Sequence, residues 1–293
     1  MTRFLILVGV LSFQAAAPEQ RFSGEAIAYE VTAGESIASL GARFGLEPRT
    51  LAADNGLSTG TVLEPGQRLV IDNRHVIPDH PADGILINVP QRMLFVFFGD
   101  RLAGAYPVAV GRPGWRTPLG VFTVSSKEVD PTWDVPKSIQ EEMSEAGRQV
   151  ETRVLPGPNN PLGDRWIGVS NLGFGIHGTN QSSSIYRFTT HGCIRLHPAD
   201  ARSLFEIAWI GMPIWIVYQP VLLTAVDPDH IMVEVHADVY RRTAAASLEV
   251  ARRLLELDAA IVDVPALNEI IRRRAGRGSV LERVKQPLPL PTW

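Results

Sequence analysis

The sequence predicts a mainly β protein that carries a small βααβ domain before its β-rich part and a short helical appendage after it. Three observations support this prediction. Apolar or alternating runs, separated by tight turns, fill most of residues 85–126. Residues 29–72 place two short helical patterns between two strand-like runs. Beyond residue 243 the chain is rich in residues that favour helices.

Length and composition are those of an ordinary globular chain. The 293 residues are enough for two domains, and 45% hydrophobic with 20% charged content is typical of soluble proteins. The 28 basic and 31 acidic side chains leave a net charge of −3. This near balance gives no electrostatic reason to expect nucleic acid or an anionic membrane surface as a partner.

Residues 1–17 have the pattern of a secretory signal peptide. Arg3 provides a positive charge, an apolar run follows at residues 4–13, and the alanines at 15–17 offer a cleavage site. The run is too short for a membrane span, so we expect no stable membrane insertion after cleavage. The protein is therefore expected to be exported, to the periplasm or the cell wall. The alternative is a buried N-terminal helix or strand.

The first domain is expected over residues 29–72, in the order strand, helix, helix, strand. Ser36 is a suitable N-cap and Gly45 a suitable end for the first helix, whose apolar residues recur at helical spacing. Pro48 suits the first turn of the second helix. The two strands are expected at residues 29–31 and 69–71.

Short motifs within this domain resemble those of the LysM module. They are Tyr29-x-Val31, Gly34-Glu35-Ser36, Asn55 and Leu63-x-Pro65-Gly66-Gln67-x-Leu69. The resemblance implies peptidoglycan as a partner, bound through glycans that contain N-acetylglucosamine. The alternative is a βααβ cap without a ligand. Residues 73–83, which follow, are expected to form a linker in which His75 and His80 are solvated rather than metal-bound.

The β-rich domain is expected over residues 84–218. Its first strands are separated by tight connections and predict an antiparallel meander at residues 85–89, 93–98, 103–110 and 120–126. Residues 127–165 contain several prolines and are irregular apart from a short helix at 138–147. Because an insertion of this length is usually functional, we expect it to frame a cleft. A passive surface loop is the alternative.

The rest of the chain predicts more strands and a few helices. In the β-rich domain they are strands at 166–170, 174–177 and 214–217 and a helix from 198 to about 209. Together these elements predict a β-sandwich or barrel. Residues 219–293 predict a strand at 231–235, helices at 243–257 and 267–275, and an extended or disordered proline-rich tail. We interpret Arg272-Arg273-Arg274 as a solvated face rather than a contact to an acidic partner.

Cys193 is the only cysteine, and two of the seven histidines, His177 and His191, lie close to it in sequence. A lone cysteine cannot form an intramolecular disulfide, and so few sulfur ligands argue against a structural zinc site. A cysteine and a histidine can together form an activated nucleophile, because the imidazole takes the proton of the thiol. The alternative is a small buried apolar residue without a chemical role.

The segments around these residues are similar to the signature of the L,D-transpeptidase (YkuD) family. They are His177-Gly178-Thr179-Asn180 and Thr190-His191-Gly192-Cys193-Ile194-Arg195-Leu196. Segments at residues 110–122 and 156–163 resemble upstream parts of the family in the same order. The chain departs from the family at Tyr186, where many relatives have glycine. A tyrosine there is expected to narrow the mouth of the site.

The resemblance implies a β-sandwich-like catalytic domain with its nucleophile in a groove. Cys193 would form a thioester with a peptide carbonyl, and His177 would act as general base and acid. His191 is the alternative base, whereas the family suggests that it braces the loop. The carbonyl of Gly178 is expected to orient His177, and the backbone N–H groups of Gly192 and Cys193 are expected to stabilise the oxyanion.

Arg195 is expected to bind a carboxylate of the substrate, because a guanidinium can hold one with two hydrogen bonds. Thr190 and Tyr186 are also expected to bind substrate. An ion pair within the fold is the alternative role of Arg195. No metal and no organic cofactor are expected.

By the same resemblance the donor is a peptidoglycan tetrapeptide stem that loses its terminal D-Ala. The acceptor would be the side-chain amine of another stem, which gives a 3→3 cross-link, and carbapenems would acylate Cys193. Water or a protein lysine as acceptor would instead make the enzyme an L,D-carboxypeptidase or a wall–protein ligase. A wall-binding protein with an idle site is the alternative outside enzymes. A papain-like protease is disfavoured, because its cysteine precedes its histidine.

Overall fold

The computed structural model of the chain describes residues 20–170, 173–261 and 263–285. The predicted signal peptide at residues 1–17, the turn at 171–172 and the tail after residue 285 lie outside these ranges. Within them, no helix is both long and apolar enough to cross a membrane.

A two-stranded sheet and two helices form the first domain. The elements of this part of the chain are β1 (Phe22–Ser23), β2 (Ala26–Glu30), α1 (Ile37–Phe44), α2 (Pro48–Asp54), β3 (Arg68–Asp72) and β4 (His75–Val76). Strands β2 and β3 pair antiparallel, with Tyr29 opposite Leu69. The hydroxyl of Ser36 accepts the N–H of Ser39 at the start of α1, and Gly45 ends this helix with φ 70°. The predicted order of strand, helix, helix and strand is confirmed.

The central domain is a nine-stranded mixed sheet that closes on itself as a barrel. Its elements are β5 (Gly84–Asn88), β6 (Met93–Phe98), β7 (Arg101–Gly111), β8 (Gly120–Val129), β9 (Trp133–Asp134), α3 (Lys137–Glu145), β10 (Arg153–Val154), β11 (Arg165–Val169), β12 (Phe174–His177), a 3-10 turn (Ser182–Ser184), β13 (Phe188–Thr190), β14 (Ile194–Leu196), α4 (Pro198–Ile207) and β15 (Pro213–Val217). The order is β13-β7-β14-β12-β11-β8-β15-β5-β6, and β6 pairs back to β7. Strands β9 and β10 pair separately. The mainly β prediction is confirmed.

Only part of the predicted meander is present. Strands β5, β6 and β7 are successive antiparallel neighbours, as predicted. The prediction that the next strand continues the meander is wrong, because β14 pairs with the other edge of β7. Strand β8 lies instead between β11 and β15. This arrangement places β14, which begins directly after Cys193, inside the sheet.

Aliphatic side chains fill the barrel and fix the backbone of the site. Ile176 and Ile194 belong to this core and are almost completely buried. They are the immediate sequence neighbours of His177 and Cys193. Because a close-packed core resists displacement of its side chains, the packing of the two isoleucines holds both reactive residues in place.

The C-terminal domain contains more β structure than the sequence predicted. Its elements are β16 (Val221–Ala225), β17 (His230–Val235), α5 (Ala246–Glu256), β18 (Ala259–Ile261), α6 (Val264–Arg273) and β19 (Ser279–Lys285). They form a four-stranded sheet in the order β16-β17-β19-β18, on which both helices pack. The strand predicted at 231–235 and both predicted helices are present, and the structure adds three strands that were not predicted, β16, β18 and β19. Strand β16 forms an antiparallel hairpin with β17, and β19 lies between β17 and β18.

Residues 73–83 do not form a solvated linker. Strand β4 pairs with β1, and His75 is completely buried. The ring of His80 stacks on that of Phe97 with centroids 3.8 Å apart. The expectation that both histidines are solvated is therefore wrong, because this segment lies between the first domain, the barrel and the C-terminal sheet.

A buried carboxylate joins these three parts. Glu234 of β17 accepts hydrogen bonds from Val76 N–H (2.6 Å), Gln91 Nε2 (3.1 Å) and His236 Nε2 (2.7 Å), and it contacts His75 Nδ1 (2.8 Å). The Nε2 of His75 faces the carbonyl of Gly45 at 3.0 Å. Both nitrogens of His75 thus face oxygen acceptors, one in the C-terminal sheet and one in the first domain. Burial alone would raise the pKa of Glu234, but His75 and His236 outweigh it and lower this pKa to about 2.

We predict that Glu234→Gln lowers the free energy of unfolding at pH 7 by at least about 2 kcal/mol, because several buried hydrogen-bond donors lose their charged acceptor. The folded-state pKa of Glu234 is lowered from 4.5 to about 2. Its contribution is therefore present above about pH 4.5 and is lost as the pH falls towards 2. Urea denaturation followed by fluorescence, at pH 7 and at pH 3, measures both effects.

The exposed Glu64 provides the matched control. Glu64→Gln should leave the stability at pH 7 unchanged. A Glu234→Gln variant as stable as wild type at pH 7 would contradict the role of the buried carboxylate.

Candidate active site

One cleft brings together most of the residues that the sequence singled out. It has a volume of about 650 Å³, and residues 127–165, here called the insertion, form one of its walls. Its lining includes His177, Thr190, His191, Cys193 and Arg195. The insertion contains the predicted short helix as α3. The expectation that the insertion frames a cleft fits this lining.

The positions of Cys193 and His177 follow from the parallel pairing of β12 with β14. Ile176 lies opposite Ile194, and His177 lies opposite Arg195. Cys193 comes one residue before β14 and is therefore level with Gly175, whose backbone N–H faces the sulfur. The register brings the thiol and the imidazole to the same edge of the cleft although loops separate them in sequence.

His177 is held as a neutral imidazole. Its Nδ1 donates a hydrogen bond of 2.7 Å to the carbonyl of Gly178, so its Nε2 carries no hydrogen and can accept a proton. The indole of Trp166 stacks on the ring, with centroids 5.9 Å apart, and the side chain is only 4% exposed. Burial, followed by the charge of Arg195, lowers the pKa of His177 to about 3.

Cys193 is held as a thiol rather than a thiolate. Burial raises its pKa, and the N–H of Gly175 and the charge of Arg195 oppose this shift only in part. Both members of the pair are therefore uncharged at neutral pH. The thiol becomes nucleophilic only when a base takes its proton, and the basic nitrogen that the geometry leaves unprotonated is Nε2 of His177.

His191 is tied to the insertion. Its Nε2 lies 2.6 Å from Oε2 of Glu142 and 3.0 Å from Nη2 of Arg112, and Arg112 also donates to Glu142 at 2.7 Å. Hydrogen bonds from Arg112 and His191 lower the pKa of Glu142 to about 2. The indole of Trp115 packs edge-on against the imidazole. These contacts suit a brace between α3 and the segment at residues 190–193, here called the catalytic loop, better than they suit a base.

The hydroxyl of Thr190 forms hydrogen bonds with backbone groups of neighbouring residues. It donates to the carbonyl of Cys193 at 2.6 Å and accepts the N–H of Gly192 at 3.2 Å. Its single hydrogen is thus not available to a substrate, so the predicted substrate contact of Thr190 is not supported. The N–H of Gly192 points at this hydroxyl, so its predicted place in the oxyanion hole is not supported either. For the N–H of Cys193 that role stays a prediction.

Arg195 lines the cleft, and not all of the hydrogen-bond donors of its guanidinium have a partner. Its Nη1 donates to Oγ of Ser184 at 2.9 Å, while its buried Nε has no partner among the described residues. No carboxylate within the described ranges pairs with it, so the alternative of an internal ion pair is not found there. A half-buried guanidinium with an unused donor suits an anionic group of a ligand.

Tyr186 does not lie at the mouth of the cleft. It is 3% exposed, its hydroxyl donates to the carbonyl of Gly276 at 3.1 Å, and Arg92 lies 4.0 Å above its ring. With φ 59°, its backbone turns the side chain towards the junction with the C-terminal domain. The prediction that Tyr186 narrows the site and binds substrate is therefore wrong.

Several residues of the site were not predicted. Asn160 is completely buried and links Pro131 to Leu162. Its Nδ2 donates a hydrogen bond to the carbonyl of Pro131, and its Oδ1 accepts one from the N–H of Leu162. At Gly163 an added Cβ would lie 2.7 Å from the N of Thr179, so only glycine lets the insertion approach this closely. Both residues fall in the motif at 156–163. No local signal pointed to Trp166 or Glu142.

Metal binding has no obvious place in the described part of the chain. There, no three side chains of His, Cys, Asp or Glu are arranged to hold a metal ion. The side chains that line the cleft include a thiol, an imidazole and a guanidinium.

Known proteins resemble this chain over the same regions. The sequence model of the L,D-transpeptidase catalytic domain (YkuD) matches residues 82–216, and that of the LysM domain matches residues 29–72. A Salmonella typhimurium protein named "Probable L,D-transpeptidase ErfK/SrfK" is 28% identical over 93% of both chains. Its Escherichia coli namesake is 30% identical over 78% of this chain and 79% of its own.

A solved structure is also similar. The L,D-transpeptidase from Mycobacterium smegmatis is 21% identical, with a TM-score of 0.38 over 55% of this chain and 64% of its own. From the relatives in sequence, we conclude that the chain belongs to the L,D-transpeptidase family and carries a LysM domain.

Proposed function

We propose that the protein is a cysteine-dependent L,D-transpeptidase that joins peptidoglycan stem peptides through a thioester on Cys193. One observation carries the proposal. The thiol of Cys193 and the imidazole of His177 face one cleft, and the hydrogen bond from His177 to Gly178 leaves Nε2 free to accept a proton. Membership of the family supports the same reaction class.

In the first half of the reaction, Nε2 of His177 takes the proton of the thiol while Sγ attacks the carbonyl carbon of the third residue of a tetrapeptide stem. A carbon–sulfur bond forms and an oxyanion develops. When the intermediate collapses, the bond to the terminal D-Ala breaks and the imidazolium protonates the departing amine. Because His177 is buried, its positive charge is unfavourable and is short-lived, which favours rapid return of the proton.

In the second half, the side-chain amine of another stem attacks the thioester. His177 accepts a proton from this amine, a new amide bond forms, and the carbon–sulfur bond breaks. The released thiolate recovers the proton. The product is a 3→3 cross-link, and no cofactor takes part.

Two further groups complete the proposed site. The N–H of Cys193 would stabilise the oxyanion, because it belongs to the nucleophile itself and lies next to the reacting carbon. Arg195 would bind a carboxylate of the donor stem, since its half-buried guanidinium has an unused donor and lines the cleft.

The LysM domain would hold the enzyme on its polymeric substrate. Its family match supports glycan binding, and we propose N-acetylglucosamine-containing strands of peptidoglycan as the ligand. Such a substrate places the working enzyme outside the cytoplasm, in the periplasm or the cell wall, in accord with the signal-like residues 1–17.

Mass spectrometry on disaccharide-tetrapeptide muropeptides tests the proposal. We expect wild type to produce a 3→3 dimer with loss of one D-Ala, and Cys193→Ala to produce none. Tripeptide without dimer would instead identify an L,D-carboxypeptidase. A substrate that stays unchanged, with no adduct on Cys193, would contradict the transpeptidase and leave a protein-lysine acceptor or a wall-binding role.

The two histidines should behave differently. We predict that His177→Gln lowers the rate of dimer formation by at least about 100-fold, because the base is lost. His191→Gln should retain more than about one tenth of the rate, since this residue only braces the loop to Glu142. Initial rates of D-Ala release measure both. A larger loss for His191→Gln than for His177→Gln would reverse the assignment of the base.

Arg195→Ala should raise the KM for the tetrapeptide by about tenfold or more, because a hydrogen-bonded charge pair with the substrate is lost. Arg195→Lys should recover only part of this affinity, since an ammonium cannot form the paired hydrogen bonds. The exposed Arg101 supplies a control variant, Arg101→Ala, with unchanged KM. An unchanged KM in Arg195→Ala would remove this residue from the substrate site.

A further inference from the structure

A tyrosine of the C-terminal domain reaches into the barrel beside the catalytic loop. Tyr240 is 1% exposed, and its hydroxyl donates a hydrogen bond of 2.6 Å to the carbonyl of Gly111 at the end of β7. The same hydroxyl accepts the backbone N–H of Thr117 at 3.1 Å. Tyr240 of the C-terminal domain thus bridges the two ends of the loop between Gly111 and Thr117, which belongs to the central domain.

The contact continues from Thr117 to the nucleophile. The Thr117 side chain is buried, and its hydroxyl accepts the N–H of Gly111 at 2.9 Å and donates to the carbonyl of Gly192 at 3.0 Å. This carbonyl belongs to the peptide bond that also contains the N–H of Cys193. Because a trans peptide is planar, its carbonyl and N–H point in opposite directions. A hydrogen bond that fixes one therefore fixes the other.

The peptide needs such a restraint. Gly192 has φ 108°, a region open to glycine, and glycine lets the adjoining peptide rotate at little cost. The hydroxyl of Thr117 selects the orientation in which the Gly192 carbonyl faces the barrel. The Cys193 N–H then points the opposite way.

We propose that Tyr240 is a positioning residue for catalysis: through Thr117 it fixes the peptide between Gly192 and Cys193 so that the N–H of Cys193 faces the developing oxyanion. The inference rests on the proposed thioester chemistry and deepens it. It also gives the C-terminal domain a part in the reaction, although none of the described residues of this domain lines the cleft.

Tyr240 is itself held firmly. Its ring stacks on that of Tyr218 at 5.3 Å and meets Phe188 edge-on. The hydroxyl of Tyr218 accepts the N–H of Tyr240 at 2.8 Å and donates to Asp238 at 2.7 Å. Asp238 also accepts the backbone N–H of Thr243 at 2.9 Å. A connected and satisfied network of this kind keeps the Tyr240 hydroxyl in one place.

Two reactions of Cys193 separate positioning of the N–H from general support of the loop. Acylation by imipenem passes through an oxyanion, whereas alkylation by iodoacetamide does not. Intact-mass measurements on the full chain give both rates. We expect Tyr240→Phe, which keeps the ring and removes the hydroxyl, to slow acylation by about tenfold and to leave the alkylation rate unchanged.

Three variants serve as controls. Thr117→Val should slow acylation as Tyr240→Phe does, whereas Thr117→Ser keeps the hydroxyl and should restore the rate. Tyr186→Phe also removes a buried tyrosine hydroxyl from a backbone carbonyl, but at the junction with Gly276, and should change neither reaction. Should Tyr240→Phe fail to fold, the comparison of Thr117→Val with Thr117→Ser carries the test.

Several results would overturn the inference. An unchanged acylation rate in both Tyr240→Phe and Thr117→Val refutes it while wild-type acylation upholds the proposed function. Equal slowing of acylation and alkylation also refutes it, because the hydroxyl would then support the thiol or the whole loop. A wild type that is alkylated but neither acylated by imipenem nor active on muropeptides refutes the proposed function, and the inference falls with it.

Discussion

The parallel pairing of β12 with β14 decides where the reactive groups stand. It sets Ile176 opposite Ile194 inside the barrel core, so packing fixes His177 on one strand and Cys193 beside the other. Strand β14 reaches this position because β8 does not follow β7 in the sheet. The geometry of the site therefore depends on the strand order of the whole barrel and not only on the loops that contain His177 and Cys193.

Burial determines the protonation states of His177 and Cys193. The insertion and Trp166 keep water from His177, which lowers the pKa of the imidazole, while burial raises the pKa of the Cys193 thiol. In the proposed reaction, a pair that is neutral at rest would become charged only as the carbonyl is attacked, when the oxyanion would supply the opposite charge. Arg195, with an unused donor, keeps a positive charge at the place where a donor carboxylate would bind.

The C-terminal domain is part of the working structure. Glu234 joins it to the first domain and the barrel through His75 and Gln91, and Tyr240 joins it to the catalytic loop through Thr117. Both contacts bury polar groups that are matched by specific partners, which favours one arrangement of the domains over looser ones. The fixed arrangement also means that a LysM domain bound to glycan would hold the cleft at a constant position relative to that glycan.

The sequence by itself determined what depends on a few neighbouring residues. The Ser36 cap, the Gly45 helix end and the early hairpin strands follow from local backbone preferences, and the motifs around His177 and Cys193 predict the chemistry. Only the tertiary structure decided which strands are neighbours and which side chains are buried. The closure of the barrel, the burial of His75 and Tyr186, and the contact from Tyr240 to Thr117 each join residues far apart in the chain. Local preferences carry no information about such partners, because the energy of burial and pairing arises only once the distant surfaces meet.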